Sequence, residues 1–171
     1  MTTVTWVWRI VLLLVALLAL LTIPSPSGAQ TQAGGPGAEL TLAEAVRLIA
    51  AAQADAGTKN LRLTIAVVNQ RGDVIAVGRM DGANPGTVDT AIGKAMVSAM
   101  FGQPSAAFVA RAGTPVAQGL NVQTGGRLRF LQGALPIVRG GFTVGAIAGS
   151  GASAQQDEDT VRAALASIGP G

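Results

Sequence analysis

Residues 61–80 read LRLTIAVVNQRGDVIAVGRM, and this stretch decides the fold. From Leu61 to Val67 a large aliphatic side chain occupies every second position, which is the period of a β-strand. A second apolar run, Val74–Met80, follows the turn-forming residues Asn69–Asp73. Two such runs around a short segment that contains glycine predict an antiparallel β-hairpin.

Helical signals flank the hairpin on both sides. Thr41 and Glu44 have the spacing of a capping box, which predicts a helix from about Leu42 to Ala56. Thr87 is the predicted N-cap of a second helix, Val88–Phe101, which is rich in Ala and Met and therefore suited to close packing.

The second half of the chain contains shorter elements, and the segment before Gly126 is expected to be irregular. The elements do not alternate strand with helix as a parallel sheet requires, so we expect an antiparallel sheet flanked by helices. In chain order they are a short helical stretch over Ala106–Arg111, strands over Leu128–Leu131, Ala134–Val138 and Phe142–Ala148, and a helix over Asp157–Ile168 that begins with three acidic residues.

The composition excludes several kinds of chemistry. The 171 residues include no Cys, His or Tyr, so disulfides, thiolate nucleophiles, serine triads and His or Cys metal sites are impossible. Only 12% of the residues are charged, and the net charge of +3 comes from basic residues scattered singly. A nucleic-acid partner is therefore not expected.

The N-terminus has the pattern of an export signal. Arg9 precedes an unbroken apolar run, Ile10–Ile23, which is too short to span a bilayer and is followed by prolines and small residues. We predict a signal peptide over 1–29 with cleavage after Ala29, a flexible lead-in over 30–39, and a folded domain over 40–171 in a secreted or periplasmic protein. An uncleaved anchor is the alternative, if Val4–Val7 join the apolar run.

Two groups of polar residues are candidate sites. Asp81 follows the second strand of the hairpin and Lys94 lies in the Ala-rich helix; they could form an acid–base or anion-binding pair. The alternative is a salt bridge that ties the turn to the helix, with Arg79 or Lys94 as the partner of Asp81.

Gly149–Gly151 could present backbone N–H groups to an anion, or form only a tight turn. Ser150 is no activated nucleophile, because the chain has no His to act as base.

Three methionines are the remaining soft donors: Met80, Met96 and Met100. Met96 and Met100 stand four residues apart on one helix face, a spacing more typical of core packing than of metal ligation. The three methionines could also line an apolar pocket for a flat hydrophobic ligand.

The chain resembles the GlcG/HbpS-like haem-binding family, which includes the C-terminal domain of PduO-type proteins. The similarity extends from about Leu40 to Ile168. The matching strings are GDVIAVGRMDGA at 72–83, AIGKA at 91–95, VGAIAGSG at 144–151 and the acidic pair Asp157-Glu158.

The resemblance implies a profilin-like α/β domain, with a central antiparallel sheet flanked by helices on both faces, assembled into a homo-oligomer. It also implies haem as ligand for some exported members, with a membrane sensor kinase as partner. The PduO-like branch uses histidine to bind the haem iron, and this chain has none. The iron would instead need Met, Lys, a hydroxyl or water.

We therefore consider three hypotheses. The first is an exported, non-catalytic small-molecule binding protein for haem or a related tetrapyrrole, in haem or iron sensing or oxidative-stress protection. The second is an enzyme acting on a small carboxylate or carbonyl compound through Asp81 and Lys94. The third is an oligomeric scaffold. The candidate ligand-binding residues are Arg79, Met80, Asp81, Lys94, Met96, Met100, Gly149, Ser150 and Gly151.

Overall fold

Four antiparallel strands form one sheet, and helices cover both of its faces. The computed structural model describes residues 39–168, so the predicted signal peptide and all but the last residue of the lead-in lie outside the described residues. Within that range, no helix combines the length and the apolar character needed to cross a membrane. The elements are α1 Leu42–Thr58, β1 Thr64–Asn69, β2 Val74–Arg79, α2 Thr87–Phe101, a 3₁₀ helix Ser105–Arg111, α3 Pro115–Gln123, β3 Ala134–Arg139, β4 Phe142–Ser150 and α4 Ala154–Ile168.

The sheet has the strand order β2-β1-β4-β3, with every neighbouring pair antiparallel. The predicted hairpin forms β1 and β2, and a second hairpin forms β3 and β4. Since β1 and β4 are the central strands, the first and last parts of the domain meet along the middle of the sheet. This confirms the predicted α/β class with its antiparallel sheet.

One face of the sheet carries the larger aliphatic side chains. Ile65 and Val67 of β1 lie beside Ile147 of β4 and are completely buried under α1 and α4. The capping box predicted for α1 is present, because Thr41 Oγ1 accepts from the Glu44 N–H while the Glu44 carboxylate accepts from the Thr41 N–H. Branched side chains and two amphipathic helices thus make the main core.

The opposite face is lined by alanines. Ala66, Ala146 and Ala148 point away from the main core, and Ala95 and Ala99 of α2 pack on this face. Small side chains on both partners let the helix approach the sheet closely, and that approach brings polar groups of α2 within reach of the end of the sheet.

The structure corrects the sequence-based elements at three places. Leu128–Leu131 is not a strand, because its backbone packs on α2, where the Arg129 N–H donates to the Gly93 carbonyl instead of to a neighbouring strand. The region expected to be irregular contains α3, which has a side-chain cap at Thr114. Thr87 does not cap α2; its hydroxyl donates to the Asn84 carbonyl, and Gly86 is the N-cap residue.

Candidate functional site

Lys94 lies in the interior, although Lys is among the residues least often buried. Only 3% of its surface is exposed, and its Nζ donates to Asp157 Oδ2 at 2.8 Å and to the Gly149 carbonyl at 3.1 Å. The other carboxylate oxygen of Asp157 accepts from the Ala152 N–H at 3.0 Å. Both charges are therefore paired and hydrogen-bonded, which is the condition for burying them.

This ion pair joins the two helical layers. Lys94 belongs to α2 on the alanine-lined face, and Asp157 belongs to α4 on the face of the main core. The two side chains meet at the end of the sheet where β3 begins and β4 ends. The pair thus fastens one layer to the other at that end.

Two glycines leave the space in which the pair forms. A Cβ atom on Gly133 would lie 2.8 Å from Lys94 Nζ and 3.0 Å from Asp157 Cβ, and the residue has a φ of +125°. A Cβ on Gly149 would lie 2.8 Å from the backbone oxygen of Asp157. A side chain at either position would occupy the space in which Lys94 and Asp157 meet.

The predicted pair of Asp81 with Lys94 is wrong. Lys94 lies on the sheet-facing side of α2, so its ammonium group reaches Asp157, whereas Asp81 is exposed in the loop after β2. The alternative salt bridge from Asp81 to Arg79 is absent from the described part too, because Arg79 donates to the Ala83 carbonyl at 2.7 Å. The enzyme hypothesis thereby loses its acid–base pair.

The structure does bring two of the predicted motifs together. Thr64 at the start of β1 pairs with Arg79 on one side and with Ser150 on the other. The Thr64 hydroxyl is 2.7 Å from the Thr87 hydroxyl at the start of α2. The motifs around Arg79 and Ser150 therefore share one end of the sheet, although they are far apart in sequence.

Gly149–Gly151 carries the chain from β4 toward α4. Gly149 and Ser150 are strand residues, so the tight-turn interpretation is wrong for them. The Gly149 N–H donates to the Gly133 carbonyl at 2.9 Å and is not free for an anion. Gly151 has a φ of +141°, and a Cβ there would lie 2.6 Å from the Arg62 carbonyl, so close packing requires this glycine.

The three methionines have different surroundings. Met96 is buried with Phe108 and Phe130, whereas Met80 packs against the main core and its Sδ accepts from the Leu63 N–H at 3.5 Å. Met100 is 42% exposed. Because Met80 and Met96 belong to separate clusters, the predicted common methionine lining is not formed.

Sequence reasoning misses the partner of Lys94. From the sequence, Asp157 is expected to favour the start of the last helix and, with Glu158, to match a family motif, but neither it nor Gly133 is predicted to contact Lys94. The available signal is a lone Lys inside an Ala-rich helix, since such a residue needs a buried acid.

The structure contains a small hollow beside the β1–β2 turn. Its volume is about 60 Å³, and it is lined by Glu39, Asn69, Gln70, Arg71 and Val144. Ligand pockets usually measure about 300–1,000 Å³, so this hollow is too small for a haem-sized molecule. Over residues 39–168, no three acidic side chains come together as a metal site.

Comparison with known proteins identifies the family to which this domain is similar. The family described as haem-degrading protein HbpS-like matches residues 40–166. The chain belongs to the HbpS-like family. The match covers all the strands and nearly all of α4 of this HbpS-like chain, and it confirms the resemblance inferred from the sequence motifs.

Individual relatives agree with this assignment. The chain is 29% identical over 130 residues to an uncharacterised 15.0 kDa protein in the dhaT-dhaS intergenic region of Citrobacter freundii, covering 75% of this HbpS-like chain and 91% of that protein. A crystal structure of a double mutant of Streptomyces reticuli HbpS has a TM-score of 0.68 at 28% identity, covering 85% of this chain and 97% of the other. The crystal structure of a PduOC:heme complex has a TM-score of 0.68 at 23% identity, covering 78% and 97%, and supports the fold alone.

Proposed function

We propose that this HbpS-like protein is an exported, non-catalytic binding protein for haem or a related tetrapyrrole. The observation that carries the proposal is the family match over residues 40–166, which includes nearly the whole described domain. The fold is also that of a protein crystallised as a complex with heme. The buried ion pair removes the catalytic pair on which the enzyme hypothesis relied, because Lys94 is bound to Asp157.

The surface of the domain carries both apolar side chains and arginines, the two kinds of group that would contact the macrocycle and the propionates of haem. Ten large hydrophobic side chains are exposed within the described part, from Met100 at 42% to Val122 at 78%. Apolar contact with the macrocycle and charged contact with its propionates are the usual sources of affinity. Among the described residues, six arginines have no acidic partner within 4 Å: Arg47, Arg62, Arg79, Arg111, Arg127 and Arg129.

The side chains do not fit the haem iron. Histidine, cysteine and tyrosine are the usual protein ligands of haem besides methionine, and the chain contains none of these three. The macrocycle and its carboxylates are therefore the parts of haem that this chain can recognise.

The binding site is proposed to lie between subunits of a homo-oligomer. The hollow of about 60 Å³ beside the β1–β2 turn is too small to enclose a macrocycle, and a second copy packed over the exposed apolar surface would cover the ring and exclude water from it. The proposal also includes export through the predicted signal peptide and a role in haem or iron sensing or oxidative-stress protection, with a membrane sensor kinase as partner. The apolar run before residue 30 supports export, and the family resemblance supports the sensing role.

The test is a haemin titration of the chain from residue 30 onward. We expect a shift of the Soret band that saturates near one haem per subunit, and light scattering should show an oligomer that persists or grows when haemin is added. No spectral change at micromolar haemin would contradict the proposal.

A variant without the interior ion pair is the control for this titration. Lys94→Met combined with Asp157→Leu removes both charges while retaining similar volume, and the pair is buried away from the surface. The folded double variant should bind haemin as the unmodified chain does. Loss of haemin binding in this folded variant would instead place the ion pair in the site.

A further inference from the structure

We infer that this chain recognises the porphyrin ring and its carboxylates and makes no bond to the iron, so that iron-free protoporphyrin IX binds as tightly as haemin. The inference rests on the proposed function and narrows the ligand class to tetrapyrroles irrespective of their metal. Its basis is the lack of a strong iron ligand among the side chains of this chain.

The strongest iron ligands are absent from the whole sequence. Histidine, cysteine and tyrosine supply most protein ligands to haem iron, and the 171 residues include none of them. This absence concerns the full chain, including the segments outside the described residues.

The amines of the two lysine side chains are both occupied. Lys94 is 3% exposed and bound to Asp157 and to the Gly149 carbonyl. Lys59, the other lysine, forms an ion pair with Asp55 at 2.5 Å on the surface. An ammonium group engaged in an ion pair has no lone pair to offer the iron.

The thioethers leave one candidate within the described residues. Met96 is 5% exposed inside a cluster of aromatic and aliphatic side chains, and the Met80 sulfur already accepts a backbone hydrogen bond. Met100 is 42% exposed. A thioether is a neutral, soft ligand, and in haem proteins methionine commonly acts together with histidine, which this chain lacks.

The remaining donors are hydroxyl and carboxylate oxygens, which compete with water for the iron. No described group of three acidic side chains gathers as a metal site. Exposed aliphatic side chains and arginines without an acidic partner are what the described part of the chain supplies, and these groups would contact the ring and its propionates. Haemin and protoporphyrin IX have the same ring and the same propionates, so the free energies with which the chain binds them should be nearly equal.

Parallel equilibrium titrations with haemin, protoporphyrin IX and zinc protoporphyrin test the inference. We expect the three Kd values to agree within about threefold, equivalent to less than about 1 kcal/mol. A haemin Kd more than about tenfold below that of protoporphyrin IX would overturn the inference while leaving haem binding intact. Failure of all three porphyrins to bind would overturn the proposed function itself.

The Met100→Leu variant tests the one exposed thioether directly. Leucine retains the volume and the apolar character but has no sulfur. Both haemin and protoporphyrin IX should bind this variant within about twofold of the unmodified chain. A loss of about tenfold or more for haemin alone would identify Met100 as an iron ligand and overturn the inference, with protoporphyrin IX as the internal control.

Imidazole provides a spectroscopic readout of the same point. If no side chain binds the iron, added imidazole should coordinate to bound haemin and shift its Soret band, equally in the unmodified chain and in Met100→Leu. Bound haemin that resists imidazole in the unmodified chain but accepts it in Met100→Leu would show a methionine–iron bond and overturn the inference.

Discussion

Lys94 and Asp157, 63 residues apart in sequence, meet at 2.8 Å between Nζ and Oδ2 and are respectively 4% and 3% exposed in their side chains. They connect helices that lie on opposite faces of the sheet. A buried ion pair of this kind need not add stability compared with a well-packed apolar pair, but the loss of one partner leaves an uncompensated charge.

Lys94→Met should therefore destabilise the domain strongly. We expect the free energy of unfolding to fall by about 3–5 kcal/mol, because Asp157 is left buried without its cation. The double variant Lys94→Met, Asp157→Leu should recover most of that loss. Urea denaturation followed by circular dichroism, analysed as a double-mutant cycle, measures the coupling.

The exposed pair of Arg71 and Asp73 is the control for that cycle. Its side chains are 75% and 65% exposed, so Arg71→Ala should change the free energy of unfolding far less than Lys94→Met does. Equal effects at the buried and exposed pairs would contradict the importance assigned to burial.

Gly133→Ala should destabilise the domain by at least about 1–3 kcal/mol. The residue has a φ of +125°, which L-residues rarely adopt, and the new methyl group would contact Lys94 Nζ and Asp157 Cβ. Gly119→Ala is the matched control, because Gly119 lies in α3 and a Cβ atom added there would have open space around it. That change should stabilise the domain by about 0.5–1 kcal/mol. Thermal unfolding of both variants tests the contrast.

Glu44 should make the domain sensitive to acid. Burial alone would raise the pKa of its carboxyl group, but hydrogen bonds from Thr41 and the contact with Arg139 outweigh burial and lower the pKa below the ordinary value of 4.5. The resulting stabilisation is complete above pH 4.5 and is lost as the pH falls through the lower pKa of the folded state.

Melting temperatures measured between about pH 6 and about pH 3 should therefore fall less steeply in Glu44→Gln than in the unmodified chain. The control is Glu39→Gln, since Glu39 is exposed and forms no ion pair among the described residues. An identical acid dependence in Glu44→Gln and the unmodified chain would refute this prediction.

Gly93→Ala should loosen the segment 127–130 from α2. A methyl group at this position would press on the Arg127 carbonyl oxygen and on the Arg129 side chain. We expect a loss of about 1–3 kcal/mol from overpacking, together with faster hydrogen exchange of the Arg129 amide, which donates to the Gly93 carbonyl. Gly57→Ala, with open space around it, should leave the exchange of Arg129 unchanged.

Local patterns were sufficient to predict much of the fold. The alternation in 61–68 and the turn at 69–73 correspond to the observed β1–β2 hairpin, and the capping box at Thr41 begins α1 as expected. These features depend on residues close in sequence, so a single sequence contains their full signal.

The misassigned segments depend on distant contacts. The residues 128–131 have the composition of a strand, but the Arg129 N–H finds its acceptor on Gly93 of a helix. The helix α3 has weak local signals, because Gly119 lies within it and only Ala117 is buried. Neither outcome can be derived from the residues of the segment itself.

The candidate site also combines features that the local sequence predicts with features that depend on distant contacts. The motifs around Arg79 and Ser150 could be recognised in the sequence, but their meeting at Thr64 depends on β1 lying between β2 and β4. Lys94 could be recognised as unusual, but its partner was one of nine acidic residues. Choosing Asp157 requires knowing that α2 and α4 lie across the end of the same sheet.

The alanine contact between α2 and the sheet limits how the protein can diversify. Ala95 and Ala99 pack in one buried cluster with Val68, Ala146 and Ala148, so an enlarged residue at an alanine position of either partner would force the layers apart. New ligand preferences must consequently arise by exchange of residues on the outer surface, while the alanine positions between α2 and the sheet stay small.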